Sequence, residues 1–305
     1  MLVTICIATY KRDAGLSRLL GSLARMVVPS HWSVVIVVVD NYGEGGARQV
    51  CELAQEEFEL SVHYSIEKKT GVANVRNRAL QEVSELSDYI AFVDDDEEVA
   101  SEWLLEFSRA IETFEADVYN GPVISKLPDS APEWVVRGGF FVRPHFESGS
   151  VRRAANTGNV FFRRQLLDDM PSWFDVNYGM SGAEDTEFFS RANSLGKRIV
   201  WVDSARVVEH VPQSRLNFKW LFNRAMGGQS NAGRLALATT SSRWMAFRIL
   251  VKCILRLFIF ALLLPFLIVA VARFELAIKI LLVLAKAWGD FEALSGGRRT
   301  TYAGH

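Results

Sequence analysis

Five carboxylates follow the apolar run Tyr89–Val93 without a break: Asp94, Asp95, Asp96, Glu97 and Glu98. Like charges that close resist joint ionisation unless something positive sits among them. A divalent cation is one such group. Hard cations choose carboxylate oxygen, and often keep only one or two protein ligands when phosphates supply the rest. The plainer reading is a helix N-terminus, where the dipole favours acids, with a helix starting near Ser101. A second acid pair, Glu184–Asp185 in GAEDTEFF, opens another predicted helix after Gly182, where acids are common for electrostatic reasons alone and where a carboxylate could also take a proton. His210, in EHVP, is a lone histidine before a proline, a setting that is usually structural.

These residues need a frame. Short β-branched runs alternate with helical periodicity from residue 2 to about 210, the pattern of an α/β domain. Strands are predicted over 2–8, 33–40, 61–67, 89–93, 117–124, 159–162 and 198–202, and helices over 14–26, 71–86 and 184–195. In open α/β sheets, ligands sit beyond the carboxyl ends of the strands. Thr9, Tyr10, Asp40 and Asp94 to Asp96 all fall at such ends. No G-x-G-x-x-G follows the first strand and no G-x-x-x-x-G-K-[ST] occurs, which counts against dinucleotide binding and P-loop hydrolysis. Loops rich in Gly, Pro and Ser around 126–158 are the place for substrate contacts.

With 305 residues, 50% of them hydrophobic, the chain can build one large domain or two ordinary ones. A net charge of −1 argues against a nucleic-acid partner. Cys6, Cys51 and Cys253 lie in apolar runs and read as buried thiols of a reducing compartment. MLVTICIATYKR has no basic start and too short an apolar run for a signal peptide, so the catalytic part is expected in the cytosol.

The stretches ATYKR (8–12), VVVDN (37–41), KKTGVANVRNRAL (68–80), FVDDDE (92–97), NTGNVFFRR (156–164), GAEDTEFFSRA (182–192) and VVEHVP (207–212) occur in this order. In them the chain resembles the family 2 glycosyltransferases, inverting enzymes of the GT-A fold that use nucleotide-activated sugars. Within that family it is most similar to bacterial exopolysaccharide glucosyltransferases of the succinoglycan type. The resemblance implies a Rossmann-like mixed sheet, a UDP-sugar donor, and Mg²⁺ or Mn²⁺. It implies that Thr9 and Tyr10 line the base, that Asp40 accepts from the uracil imide, and that Arg76 and Asn77 face base and ribose. Asp94 would hold the ribose and Asp96 the metal, with Asp95 open to either register and His210 able to complete the metal shell. Asp185 would be the general base, Glu184 an acceptor ligand, and Trp134 in APEWVVRGG an aromatic platform for the acceptor sugar. Taken singly, Asp40 also reads as a turn aspartate, Arg76 as a surface arginine, and Trp134 as a packed loop tryptophan.

The C-terminal part needs its own account. LFIFALLLPFLIVAVA (257–272) carries no charge, and a straight helix of that length falls short of the ~30 Å hydrocarbon core. Arg248, Lys252 and Arg256 recur every four residues before it as one basic face, and Lys279 and Lys286 follow it. Basic flanks on both sides favour helices in the interface or a re-entrant hairpin turning near Pro265 over a single crossing. Snorkelling side chains could still stretch the segment into a crossing, and a soluble buried helix or a dimer interface is the plainer alternative. The expected division is a GT-A catalytic domain over 1–213, a connecting helical segment over 214–246, membrane-associating helices over 247–290, and a tail over 291–305. Such a protein would work at the cytoplasmic face of a bacterial inner membrane on a polyprenyl-diphosphate-linked saccharide. A non-catalytic sugar-nucleotide-binding or assembly protein, a nucleotidyltransferase and a processive synthase are the competing readings. The last normally carries Q-x-x-R-W, and Arg243–Trp244 stands here without the glutamine.

Overall fold

β1 (Leu2–Thr9), a run of alternating β-branched and small apolar residues, is buried almost throughout and forms the spine of the sheet. The structure is a computed structural model describing residues 1–42, 44, 46–178, 182–239, 243–267 and 273–296. β1 pairs in parallel with β2 (Ser33–Asp40) and β4 (Tyr89–Asp94), and β2 carries β3 (Val62–Ile66) beyond it. β9 (Asn159–Arg163) runs antiparallel between β4 and β6 (Val118–Asn120). β10 (Ile199–Trp201) and β8 (Val151–Arg152) complete eight strands in the order β3-β2-β1-β4-β9-β6-β10-β8. This is the mixed α/β sheet expected.

Two apolar layers cover the sheet. One brings Leu16, Leu19, Leu20 and Leu23 of α1 (Asp13–Ala24) together with Trp103 and Phe107 of α4 (Trp103–Thr113). The other joins Ala73, Val75 and Leu80 of α3 (Val72–Gln81) to Phe188 and Phe189 of α7 (Glu184–Ser194). Cys6, Cys51 and Cys253 are buried free thiols, as their surroundings suggest.

Three local differences have physical causes. The single strand expected over 117–124 is two, because Pro122 has no N–H for a ladder. β6 stays in the main sheet, while β7 (Val123–Lys126) joins β5 (Glu97–Val99) and β11 (Val207–His210) in a separate three-stranded sheet. No helix is predicted between the second and third strands, yet GARQVCELAQEEF forms α2 (Gly46–Phe58). Its inner face is Ala47, Cys51 and Ala54, too small to give a strong periodic signal. α3 ends at Gln81 rather than 86, and the Ser84 hydroxyl caps the turn that follows by accepting from Leu86 N–H.

After the short helices α5 (Glu133–Gly138) and α6 (Leu166–Asp169) come three long ones: α8 (Phe218–Thr239), α9 (Arg243–Leu263) and α10 (Phe274–Ser295). Ile278 of α10 enters a third apolar cluster with Val135, Phe141, Val211, Leu216 and Leu221, which ties this unit to α5 and to the segment that follows β11. No described helix is long and apolar enough to cross a membrane. α9 takes in residues 257–263 of the charge-free stretch, while 268–272 lie outside the described residues. The basic face expected on α9 is smaller than three residues. Arg256 turns inward to pair with the fully buried Asp290, and Gln229 of α8 donates to the same carboxylate at 2.8 Å.

Candidate active site

Register alone gathers the first acids. Thr9 lies opposite Asp40, and Ala8 opposite Asp94, so three strand ends share one rim. The aspartates occupy the turn from β4 to β5, and α4 starts only at Trp103, which removes the helix-N-terminus reading for them. The five carboxylates then part company. Glu97 turns inward and accepts from Asp94 N–H at 2.9 Å, and burial raises its pKa well above the usual range. Glu98 turns the other way, toward Arg18 and His210.

Asp95 is buried and locked. It accepts from Thr9 Oγ1 at 2.9 Å and from Arg12 at 2.8 Å. Thr9 and Asp95, both proposed from sequence as donor ligands, thus hold each other. Asp94 and Asp96 present the open side of the turn. Asp94 is 41% exposed and accepts from Arg76 at 3.2 Å. Asp96 accepts from Arg12 at 3.1 Å and Arg215 at 3.2 Å. Burial and the neighbouring Asp94 nonetheless push its pKa up to about 6. Backbone packs tightly here: a Cβ on Gly158 would stand 2.8 Å from Glu97 Oε1 and 3.4 Å from Asp94 Oδ2. NTGN therefore requires glycine at that point.

The second acid pair reaches the same rim through one side chain. Arg76 is buried, not on the surface, and bridges Glu184 and Asp94. Glu184 is itself buried, and burial raises its pKa to about 7 against the pull of Arg76. Its Oε2 has no hydrogen-bond partner. Asp185 sits in the first turn of α7, accepting from Thr186 N–H at 2.6 Å and Thr157 N–H at 3.3 Å. The turn before it is held by Ala183 at φ 75°, a region non-glycine residues rarely enter and one associated with functional strain.

Other predicted ligands sit differently from expectation. Asp40 is buried, with both oxygens in use by Tyr42 N–H at 2.8 Å and the Tyr64 hydroxyl at 2.9 Å. Asn77 exchanges hydrogen bonds with the backbone of Phe174 and so fixes a loop. Tyr10 is exposed and meets Tyr42 edge-on, with Lys11 over the Tyr42 ring at 4.1 Å. Beside them a cavity of about 190 Å³ is lined by Lys11, Asp13, Asp40 and Tyr42. His210 stands 3.0 Å from Glu98, and it meets Asp96 through the backbone, its N–H donating to the Asp96 carbonyl at 2.9 Å. Burial and Arg18 lower its pKa. Trp134 packs against Phe140 and Phe274, tying α5 to α10, because an indole between two rings gains more than one facing water.

Among the described residues no three side chains form a ready metal cage. Asp94 and Asp96 instead supply two carboxylates on the open side of a turn, which suits a hard cation whose other ligands are phosphate and water. Arg12, Arg215 and Glu209 were not singled out from sequence, although Arg12 closes the quoted ATYKR stretch and Glu209 precedes His210.

Solved glycosyltransferases share this fold. The chain aligns with S. aureus TarS 1-349 in complex with UDP-GlcNAc at a TM-score of 0.55 and 15% identity, covering 100% of this chain and 98% of that one. Against the longer TarS chain it spans 45% of the length. The Pyrobaculum calidifontis mannosyltransferase PcManGT, in complex with GDP-Man and Mn²⁺, aligns at 0.59 and 16% identity over 96% of this chain and 86% of its own. By sequence, residues 4–170 match Glycosyl transferase family 2, and residues 89–289 match Glycosyl transferase family group 2. The chain belongs to glycosyl transferase family 2. It is 32% identical over 234 residues to the succinoglycan biosynthesis protein ExoM of Rhizobium meliloti (strain 1021), covering 76% of this chain and 74% of that protein.

Proposed function

We propose that this glycosyltransferase is metal-dependent and inverting, and moves a sugar from a UDP-sugar to a lipid-linked saccharide in the building of exopolysaccharide or another cell-surface glycan. The observation that carries the reading is Arg76, which bridges Asp94 of the aspartate turn to Glu184 and so ties the Glu184–Asp185 pair to that turn. Asp94 and Asp96 would hold Mg²⁺ or Mn²⁺ on the diphosphate. Bound there, the cation offsets charge developing on the leaving nucleotide. Asp185 is fixed by two backbone N–H groups and takes the proton of the attacking acceptor hydroxyl. Attack from the face opposite the nucleotide turns an α-linked donor into a β-glycoside, with no covalent intermediate. Glu184 Oε2, buried with no hydrogen-bond partner, is the oxygen that the acceptor would engage. The cavity beside Tyr10 and Tyr42 suits a flat base.

The acceptor reading rests on the C-terminal helices. Opposite its buried stripe of Ile249 and Cys253, α9 exposes Trp244, Phe247, Val251, Leu255, Phe258 and Leu262. Arg248 and Lys252 border this face, and Lys279 and Lys286 of α10 are exposed as well. Soluble surfaces seldom carry so continuous an apolar strip. An anionic bilayer at the cytoplasmic face of the inner membrane matches both its apolarity and its charge. A helix lying in the interface needs no span.

Nucleotide-sugar binding and hydrolysis, screened across donors with Mn²⁺ and with Mg²⁺, test the reading. Binding of one UDP-sugar with slow metal-dependent release of UDP is expected. A protein that binds no nucleotide-sugar is not this enzyme, and one that binds without any transfer is the non-catalytic assembly protein.

A further inference from the structure

We propose that Arg215 exchanges partners during the catalytic cycle: it holds Asp96 in the empty site and moves one arm to the donor's diphosphate when the cation takes Asp96. The inference rests on the assignment of Asp96 as a cation ligand.

The guanidinium of Arg215 is divided between two acids. Nη1 donates to Glu209 at 2.8 Å and Nη2 to Asp96 at 3.2 Å. The two arms differ in what surrounds them. Glu209 is buried, is also paired with Arg143, and accepts from Ser125 at 3.3 Å. Arg143 and Arg215 each hold one oxygen of Glu209, so that anchor stays put. Asp96 is the weaker hold, since its oxygen is shared with Arg12.

The surroundings of Glu209 carry a surplus of positive charge. Arg143, Arg215 and Arg224 gather about this one glutamate. Arg224 makes no ion pair among the described residues, and lies 5.0 Å over the Trp220 ring and 5.7 Å over Phe141. Trp220 and Phe141 stack on each other and Arg215 approaches Trp220 at 5.8 Å, so the cluster is built rather than loose. Three arginines about one glutamate, Arg224 among them with no ion pair among the described residues, favour an anion beside the carboxylate turn.

A divalent cation on Asp96 would face Arg215 across a single carboxylate, and like charges there repel. The diphosphate that travels with the cation offers Nη2 two or more oxygens in return. Arg215 then keeps Glu209 with one arm and neutralises the leaving group with the other, with no change in its anchor. A consequence follows for binding in solution. Arg215 competes with the cation when it comes alone and supports the nucleotide when both arrive, so it strengthens the coupling between the two ligands.

The test uses the full chain, with free Mn²⁺ followed by electron paramagnetic resonance and UDP binding by calorimetry at saturating Mn²⁺. Arg215→Gln is expected to bind Mn²⁺ alone at least threefold more tightly, and UDP about tenfold more weakly. Effects of opposite sign are the signature, because a merely damaged site would lose both. Unchanged UDP affinity, or a loss of Mn²⁺ affinity in parallel with UDP, overturns the exchange. If the glutamine variant does not fold, Arg215→Lys serves. A single ammonium cannot grip Glu209 and the diphosphate together, so UDP should bind severalfold more weakly with Mn²⁺ affinity unchanged, and wild-type UDP affinity there also overturns it. Wild-type protein that fails to bind UDP with Mn²⁺ would instead take down the donor reading itself, and the exchange with it.

Discussion

Asp96 at the rim of the sheet is touched by two guanidinium groups, whereas Arg248 and Lys252 on α9 make no ion pair among the described residues. Both regions hold charge of one sign in close company, but they settle it in opposite ways. At the rim, Arg12, Arg76 and Arg215 answer Asp94, Asp95, Asp96 and Glu184, and burial still raises Asp96 to about 6 and Glu184 to about 7. The partners are present and the acids remain hard to ionise, so an added cation is favoured. On the helices, two of the three acids of α10 have been drawn away: Asp290 is buried against Arg256, and Glu275 lies 3.8 Å from Arg137. Under the proposed function, the first region takes a ligand that enters it, and the bases left outside on the second would meet an anionic plane.

The sharpest way to break this contrast is at Asp185. If the rim is catalytic, Asp185→Asn should lower kcat by about a thousandfold, the scale of a lost general base, with UDP affinity within about twofold of wild type. Steady-state transfer and calorimetry on the same sample decide it, and near-normal turnover would strip Asp185 of the role. Next in size is Asp96→Ala, expected to weaken Mn²⁺-dependent UDP binding on the order of a hundredfold, since it removes one of two carboxylates facing the cation. Equal UDP affinity with and without the aspartate would move the metal elsewhere.

Glu184 sharpens the same comparison through stability. Its folded pKa of about 7 exceeds that of an unfolded glutamate, so its neutral form is the one the fold prefers. The contribution is fully present below about pH 4.3 and is lost as pH rises through 7. Urea unfolding of the metal-free protein should therefore show stability falling between pH 5 and 8. Glu184→Gln should flatten that fall by about 2 kcal/mol. Identical slopes would mean that the Glu184–Arg76 pair carries no such penalty.

The frame of the rim was legible because it depends on period and position. β1, β2 and β4 are runs of β-branched and apolar residues, and strand ends place polar groups by register alone. Partners were not legible. Arg76 looked like a base-facing residue in a helix, and only tertiary packing shows it buried between Glu184 and Asp94. The resemblance implies Trp134 and Asn77 as ligands, yet a ring between Phe140 and Phe274, and an amide closing on the Phe174 backbone, give them partners within the fold. The same holds for Arg256, whose four-residue spacing from Lys252 suggested a shared face that Asp290 pulls apart. Periodicity tells which way a side chain starts, and a buried acid elsewhere in the chain decides where it ends.

The smallest effect expected belongs to the plane. Phe258 is 60% exposed and Phe247 52%, on the face of α9 turned away from α10. Replacing one of them with glutamate removes an aromatic worth roughly 1.5–3 kcal/mol when buried and adds a charge that anionic lipid repels. Phe258→Glu should therefore weaken binding to vesicles containing phosphatidylglycerol about tenfold, while Mn²⁺-dependent UDP binding in solution stays as it was. Arg248→Gln should act more mildly and only on anionic vesicles, leaving neutral phosphatidylcholine unaffected. Cosedimentation reads both. A second copy of the chain on this face would instead make Phe258→Glu change the sedimentation coefficient without lipid, and vesicle binding would not move. Independence of the two readouts is what the contrast requires: a helix face that only holds the enzyme at a surface cannot, when spoiled, alter how three arginines hold the acids of the rim.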